Sequence, residues 1–433
     1  MNNSPQIYHG EWWVPAVADY NTRMVFPEPE KMMGKEKKYT GTLTYYGDKN
    51  TTLELYHVPS DYHSSHYANN HVIWGRDANG RVFTLFNVAM KAKIGFDMVS
   101  IDFVVGVALI GKHVLSADDI LWKRCIVRFD YLNNWLFNET RKYITPTLID
   151  NTYHLDAAIG NKNQLEVTIE KGLHWKLENS IRVSEDIQGI TISKNPFLEI
   201  ESSKPISLKT MLKQVGEFEQ FLSIALYCYQ SFESIQLLSN EDEQDCDLLI
   251  KKEKSVDPVF SSLVKFDLFK EKLPSMLKKW HKSFDRIAPI SSYLIDSLQK
   301  KSRFDVPDFL IIAQALDGYH KRFVNKKDGR DIKKYQEQIE ILLNQFKSVE
   351  ALKACKINPV VLKDSRHKYA HLYPDEEETQ AVEDDDLYWL TEKCKILLTC
   401  CILNMLGLTN KEINLCCNQS PISQIIYSLP LEM

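Results

Sequence analysis

Apolar and polar residues alternate through much of the first half of the chain. Segments 40–46 and 52–58 keep the period of two that marks a strand with one buried face. Segment 71–75 is followed by Asp77-Ala-Asn-Gly80 and then by 81–88, so the sequence predicts a hairpin with Asn79-Gly80 at its turn. Further strands are expected at 104–110, 125–129, 165–170, 173–177 and 188–192. The period changes at Ser207, after which Leu208, Met211, Leu212, Val215, Phe218 and Leu222 recur at helical spacing as far as Tyr229. Segments 233–239 and 247–251 flank an acidic turn as one more hairpin, ahead of a boundary near residue 258.

Beyond that boundary the pattern is helical. Phe309, Ile312, Ala313, Leu316 and Phe323 share a stripe over 309–324, a second helix is expected over 332–346, and a shorter one over 361–373. Two acid runs, 375–378 and 383–386, precede a helix that starts at Leu387, with Asp386 placed to cap it and Gly407 to stop it. The chain therefore predicts an α+β protein. An N-terminal antiparallel β-rich domain, 1–258, is followed by a C-terminal all-α helical bundle, 259–433.

Composition narrows the class. Of 433 residues 44% are hydrophobic and 26% charged, so the whole length is expected to fold. Only 16 glycines are present, which makes glycine-rich phosphate loops scarce. The formal charge of −5 hides an asymmetry: residues 265–368 hold 23 Lys or Arg against 13 Asp or Glu, a surplus of 10 that leaves the remainder strongly acidic. A basic segment of this kind invites a polyanion.

Segment 1–14 has neither a basic flank nor an apolar run, and the best apolar stretch, 396–406, is too short to span a bilayer. A cytoplasmic protein without a membrane anchor is expected. The nine cysteines include no CxxC pair and predict reduced core thiols rather than zinc ligands. His57, His63, His66 and His71 cluster in the β half, but without a Cys or Glu frame they read as polar loop residues. Trp12-Trp13 reads as core or sheet edge rather than a base-stacking platform. No metal and no cofactor is expected. NTPase, dinucleotide, zincin and serine-hydrolase motifs are lacking.

The strongest chemical signal is Asp364-Ser-Arg-His-Lys-Tyr-Ala-His371. Arg366 and His371 satisfy the R-x(4–6)-H pattern of metal-independent ribonucleases. With 12 Arg and 12 His, about one such match arises by chance, so alone it reads as solvent-facing helix residues. Its setting changes the balance: the match lies in the basic half, and an upstream helix carries Phe309-Leu-Ile-Ile-Ala-Gln-Ala-Leu-Asp-Gly-Tyr-His-Lys-Arg322.

With these two helices the sequence resembles a HEPN domain of the ApeA type, in which FLxxxQALExxHR precedes DxRNxxxH. Gly10-Glu-Trp-Trp-Val-Pro15, Gly41-Thr-Leu-Thr-Tyr45, Leu53-Glu-Leu55, Thr84-Leu-Phe86 and Leu109-Ile-Gly-Lys-His113 resemble that family's N-terminal domain in the same order, so the resemblance spans nearly the whole chain. Asp317 stands where Glu is commoner and His367 where Asn is commoner.

Cutting RNA without a metal requires a group to take the 2'-hydroxyl proton, a cation at the phosphorus oxygens and a donor to the leaving 5'-oxygen. Imidazole titrates near neutral pH and guanidinium forks onto phosphate. Under the resemblance His371 is the general acid or base, Arg366 the phosphate clamp and His367 a positioning donor or second proton carrier. Asp317 orients Arg366 or a histidine, while Lys363, Lys368, Tyr373, Lys321 and Arg322 hold RNA.

The resemblance further implies an endoribonuclease of bacterial anti-phage defence acting by abortive infection. It implies tRNA as substrate, a 2',3'-cyclic phosphate product, a site shared across a homodimer or higher oligomer, and a phage-derived trigger, with the β half a sensor, a regulator or an RNA-positioning module. The acid runs read first as a solvated loop with a charge bias toward the next helix N-terminus, and alternatively as an RNA mimic that shields the cationic groove at rest. The competing expectation is a non-catalytic HEPN-like module that binds RNA or nucleotides or serves as a scaffold.

Overall fold

The computed structural model describes residues 4–14, 38–59, 72–95, 98–117, 121–136, 147–149, 152–154, 165–186, 189–238, 245–258, 261–299, 306–325, 334–372 and 380–430. In chain order the elements of the β half are β1 (Gln6–Trp13), β2 (Tyr39–Tyr45), β3 (Thr51–Pro59), β4 (Ile73–Asp77), β5 (Val82–Gly95), β6 (Met98–Ile110), β7 (Leu121–Phe129), α1 (Leu132–Leu136), β8 (Thr147–Ile149), β9 (Thr152–His154), β10 (Leu165–Glu170), β11 (Leu173–Asp186), β12 (Gly189–Ser207), α2 (Leu208–Leu226), β13 (Phe232–Leu238) and β14 (Cys246–Ile250). Helices follow: α3 (Phe266–Phe269), α4 (Leu273–Gln299), α5 (Val306–Tyr319), α6 (Tyr335–Gln345), α7 (Glu350–Cys355), α8 (Pro359–His371), α9 (Asp384–Met405), α10 (Asn410–Asn418) and α11 (Pro421–Ser428).

Every pairing among the described strands is antiparallel. Strands β1, β2, β3, β6, β5 and β4 pair in a closed ring, which removes the exposed edges an open sheet would leave. Trp12, Leu43, Leu53, Phe83, Leu85 and Phe103 are fully buried in one cluster with these strands. Gly75 is required there, because a Cβ on it would sit 2.1 Å from the Trp12 ring. The β4–β5 hairpin turns where the sequence predicts. Asp77 Oδ1 accepts from the Asn79 and Arg81 amides at 3.0 and 2.9 Å, and Gly80 takes the left-handed φ of 82°.

From the ring, β6 passes on through β14 to a second run of strands in the order β14, β13, β7, β12, β11, β10. Helices α2 and α4 pack here around Trp135, Trp175, Phe218, Phe221 and Trp280. Buried indoles anchor across elements: Trp135 donates to the Val264 carbonyl and Trp280 to that of Glu217, each at 2.8 Å. The same core cluster continues through Phe309, Ile312, Ile339, Leu362 and Leu397 of the helical bundle, so apolar packing runs unbroken across residue 258.

Several elements differ from expectation. β11 and β12 extend to 14 and 19 residues. The 27-residue α4, and α10 and α11, lie where no helix was assigned. α9 starts at Asp384 with Glu383 at its N-cap, so Asp386 sits in the first turn, where its charge meets the helix dipole, and does not cap. Gly407, at φ 95°, does end that helix region, with Leu408 N–H donating to the Leu403 carbonyl. Tyr373, run 375–378, His63, His66 and His71 lie outside the described residues. All nine cysteines are buried and none forms a disulfide.

Candidate active site

Helix α8 carries the Arg-His motif. Asn358 caps it, its side chain accepting from the Val360 amide at 2.9 Å, and Pro359 occupies the first turn, where a missing N–H costs nothing. Leu362 and Ser365 face inward. The helix ends at Leu372, which is left-handed at φ 53° and 84% exposed.

Arg366 projects from α8 toward α5 and α6. Its guanidinium lies 4.6 Å above the Tyr335 ring, Nη2 is 3.5 Å from Gln314 Oε1 and 3.9 Å from Asp317 Oδ2, and the side chain stays 31% exposed. Tyr335 is a fixed platform: its hydroxyl donates to the Ala313 carbonyl at 3.2 Å, and burial pushes its phenol well above the ordinary value. The guanidinium is therefore held from beneath and partly open above.

His367 and His371, four residues apart, fall on one face as helical geometry requires, with ring centroids 4.8 Å apart and both residues exposed. Asp317 is buried and lies nearer to Lys321, at 2.9 Å, than to Arg366, so one carboxylate serves two cations. Lys363 pairs with Asp364 at 2.8 Å, and Lys368 with Glu383. Arg322 donates to the Arg286 carbonyl at 2.7 Å, which ties the end of α5 to α4.

α5 runs into a π-helical turn at His320–Val324. His320 is wholly buried there, and neither ring nitrogen has a partner among the described residues. Burial lowers its pKa, opposed by the nearby Asp317 carboxylate. Residues 380–383 lie along α8: the Val382 amide donates to Ser365 Oγ at 3.1 Å, Tyr369 donates to the Val382 carbonyl at 3.0 Å, and the Gln380 amide donates to Asp364 at 3.3 Å.

The structure thus brings Arg366 beside Asp317 and pairs His367 with His371, while Lys321 and Lys368 are engaged with acids. Gln314 and Tyr335 are the contacts that sequence reading missed. Gln314 lies three residues before Asp317 on the same helical face, a signal that was available, whereas Tyr335 comes from a helix with no local mark. Among the described residues no group of three or more His, Cys, Asp or Glu is placed to hold a metal, and no helix is long and apolar enough to cross a membrane. His57 is an exposed residue of β3.

Comparison with known families places matches on both halves. The family model for ApeA N-terminal domain 1 matches residues 7–280, ending inside α4. The model for the Apea-like HEPN domain matches residues 310–412, a span that contains Gln314, Asp317, Tyr335, Arg366, His367 and His371. No curated protein and no solved structure matches the chain.

Proposed function

The chain belongs to the ApeA family, and from that membership together with the geometry around Arg366 we propose a metal-independent HEPN endoribonuclease of anti-phage defence that acts by abortive infection, with tRNA as its substrate. The HEPN match supports a nuclease-like defence protein. The observation that carries the finer reading is that Arg366 is seated on Tyr335 and Gln314 yet partly open, on the same helix as an exposed imidazole pair. The division into a β-rich domain, 1–258, that senses, regulates or positions RNA, and a nuclease bundle, 259–433, belongs to the same proposal.

The ribose 2'-oxygen attacks phosphorus while its proton passes to an imidazole. The bond from phosphorus to the 5'-oxygen breaks, and an imidazolium protonates that oxygen. A 2',3'-cyclic phosphate and a 5'-hydroxyl result, so atoms and charge balance without a metal. His371 takes the acid or base role, His367 supports it, and Arg366 neutralises charge on the non-bridging oxygens. Because these groups come from one helix and both imidazoles are exposed, a second copy is needed to surround the phosphate. Lys363 and Lys368 supply backbone contacts at the rim once they release Asp364 and Glu383.

Induced expression of the wild type beside Arg366→Ala and His371→Ala tests the reading against a scaffold role. Growth arrest lost in both variants, each still folded, supports a nuclease. Equal arrest in all three chains, or none in any, supports the scaffold.

A further inference from the structure

A groove of about 380 Å³ opens on the β half, between the β10–β11 turn, the end of β12 and the start of α2. That volume falls in the range of small-molecule sites, about 300–1,000 Å³. Lys171, Ser203, Lys204 and Thr210 line it, all exposed, so two cations and two hydroxyls stand around one opening. Gly172 permits the close approach of the two walls, since a Cβ there would meet Ser203 Oγ at 2.2 Å. Leu173 and Ile206 supply apolar surface.

Gln214 is a buried polar side chain of the groove's lining. It lies four residues after Thr210 on the same face of α2, lines the groove and is only 4% exposed. Its Nε2 is 3.4 Å from Glu217 Oε1, and this carboxylate fixes which end of the amide faces it. The remaining Oε1 is buried and accepts from no donor among the described residues. A buried acceptor left unsatisfied is costly, and a ligand N–H would relieve it.

The groove therefore asks for an anion rich in acceptor oxygens, an apolar face and an N–H donor. We propose that it binds a phosphorylated nucleoside, with the phosphate at Lys171, Lys204 and the first turn of α2 and a base N–H donated to Gln214 Oε1 as the buried amide turns toward the groove. Glu170, also lining the groove, accepts a ribose hydroxyl; its carboxylate lies 3.7 Å from His281. Occupancy bears on α4, because Glu217 joins Gln214 to His281 of that helix, 2.6 Å from the Glu217 Oε2. A free mononucleotide and the 5'-phosphorylated end of an RNA strand share this chemistry.

Calorimetric titration of the full chain with inorganic phosphate, the four nucleoside 5'-monophosphates and a 5'-phosphorylated RNA trinucleotide tests the assignment. Binding lost in Lys171→Ala/Lys204→Ala belongs to this groove and binding kept there belongs to α8, so the assignment stands or falls apart from the nuclease reading. At least one nucleotide is expected to bind tenfold or more tightly than phosphate. Lys171→Ala/Lys204→Ala and Gln214→Met are each expected to weaken it about tenfold. A tighter RNA arm identifies a strand end as the source, and an equal or weaker one identifies a free nucleotide. No binding, phosphate binding as tight as any nucleotide, or affinity unchanged in the lysine pair overturns the proposal. The lysines are exposed, so their replacement decides the matter even if Gln214→Met fails to fold.

Discussion

At Arg366 the surroundings explain why a fork-shaped cation is needed. Stacking on Tyr335 and reaching toward Gln314 and Asp317 uses the plane and edge of the guanidinium together, a geometry an ammonium cannot copy. Arg366→Lys is expected to keep the fold but lower RNA cleavage by about 10²-fold, the scale for losing one charge-stabilising contact. Tyr335→Phe should cleave near the wild-type rate, and Tyr335→Leu should not, since only the first keeps the ring beneath the guanidinium. His320 gives a second test at this scale. Burial holds its folded pKa below 6.5, so as pH falls the unfolded chain takes up a proton that the folded chain refuses. Its contribution is intact above about pH 6.5 and declines below it. Urea melts at pH 5 and pH 8 should therefore show a smaller loss at acid pH for His320→Leu than for the wild type; an equal loss would contradict this account.

Among elements, the contact between α5 and α9 is held by charge as well as apolar packing. Lys395 is buried with Asp308 at 3.3 Å and Glu392 at 2.7 Å. Burial alone would lower its pKa, but the two carboxylates outweigh that and raise it. Lys395→Met would leave both acids buried without their cation, and a loss of about 3–5 kcal/mol is expected in urea unfolding; a loss below about 1 kcal/mol would show that the acids find other partners. Elements were legible in the sequence where the signal is local. The β4–β5 turn is fixed by Asp77, Asn79 and Gly80, and α2 by its apolar stripe. Helix α4 was missed although Met276, Trp280, Phe284, Ile287 and Leu294 recur at helical spacing, because Pro289 and a polar outer face break the pattern. The site was half legible for the same reason. Arg366 and His371 sit in one short motif, whereas Tyr335 joins them only through packing of α6 against α8.

At the scale of the whole molecule, ring closure could not be read from the chain, because β5 and β6 reveal neither that they pair nor that β6 also pairs β3 and β14. Nor did composition show that the core cluster ignores the boundary at 258. Trp280 sits against Phe221 of α2, and α4 touches the sheet, α2 and the bundle. A fragment of residues 259–433 would expose this surface, at a cost of about 25 cal/mol per Å² of apolar area. It is expected to aggregate or to melt without cooperativity. A soluble, cooperatively melting fragment would show that the bundle folds unaided.

On the proposed function, Arg366 and the imidazoles of α8 cut RNA without help from a metal. The most direct measurement is incubation of the purified full chain with total RNA in EDTA, followed by mapping of new ends. Cuts carrying 2',3'-cyclic phosphate and 5'-hydroxyl ends, concentrated in tRNA and absent with Arg366→Ala and His371→Ala, are the predicted result. Cleavage that survives both substitutions, or that stops in EDTA, would contradict the account.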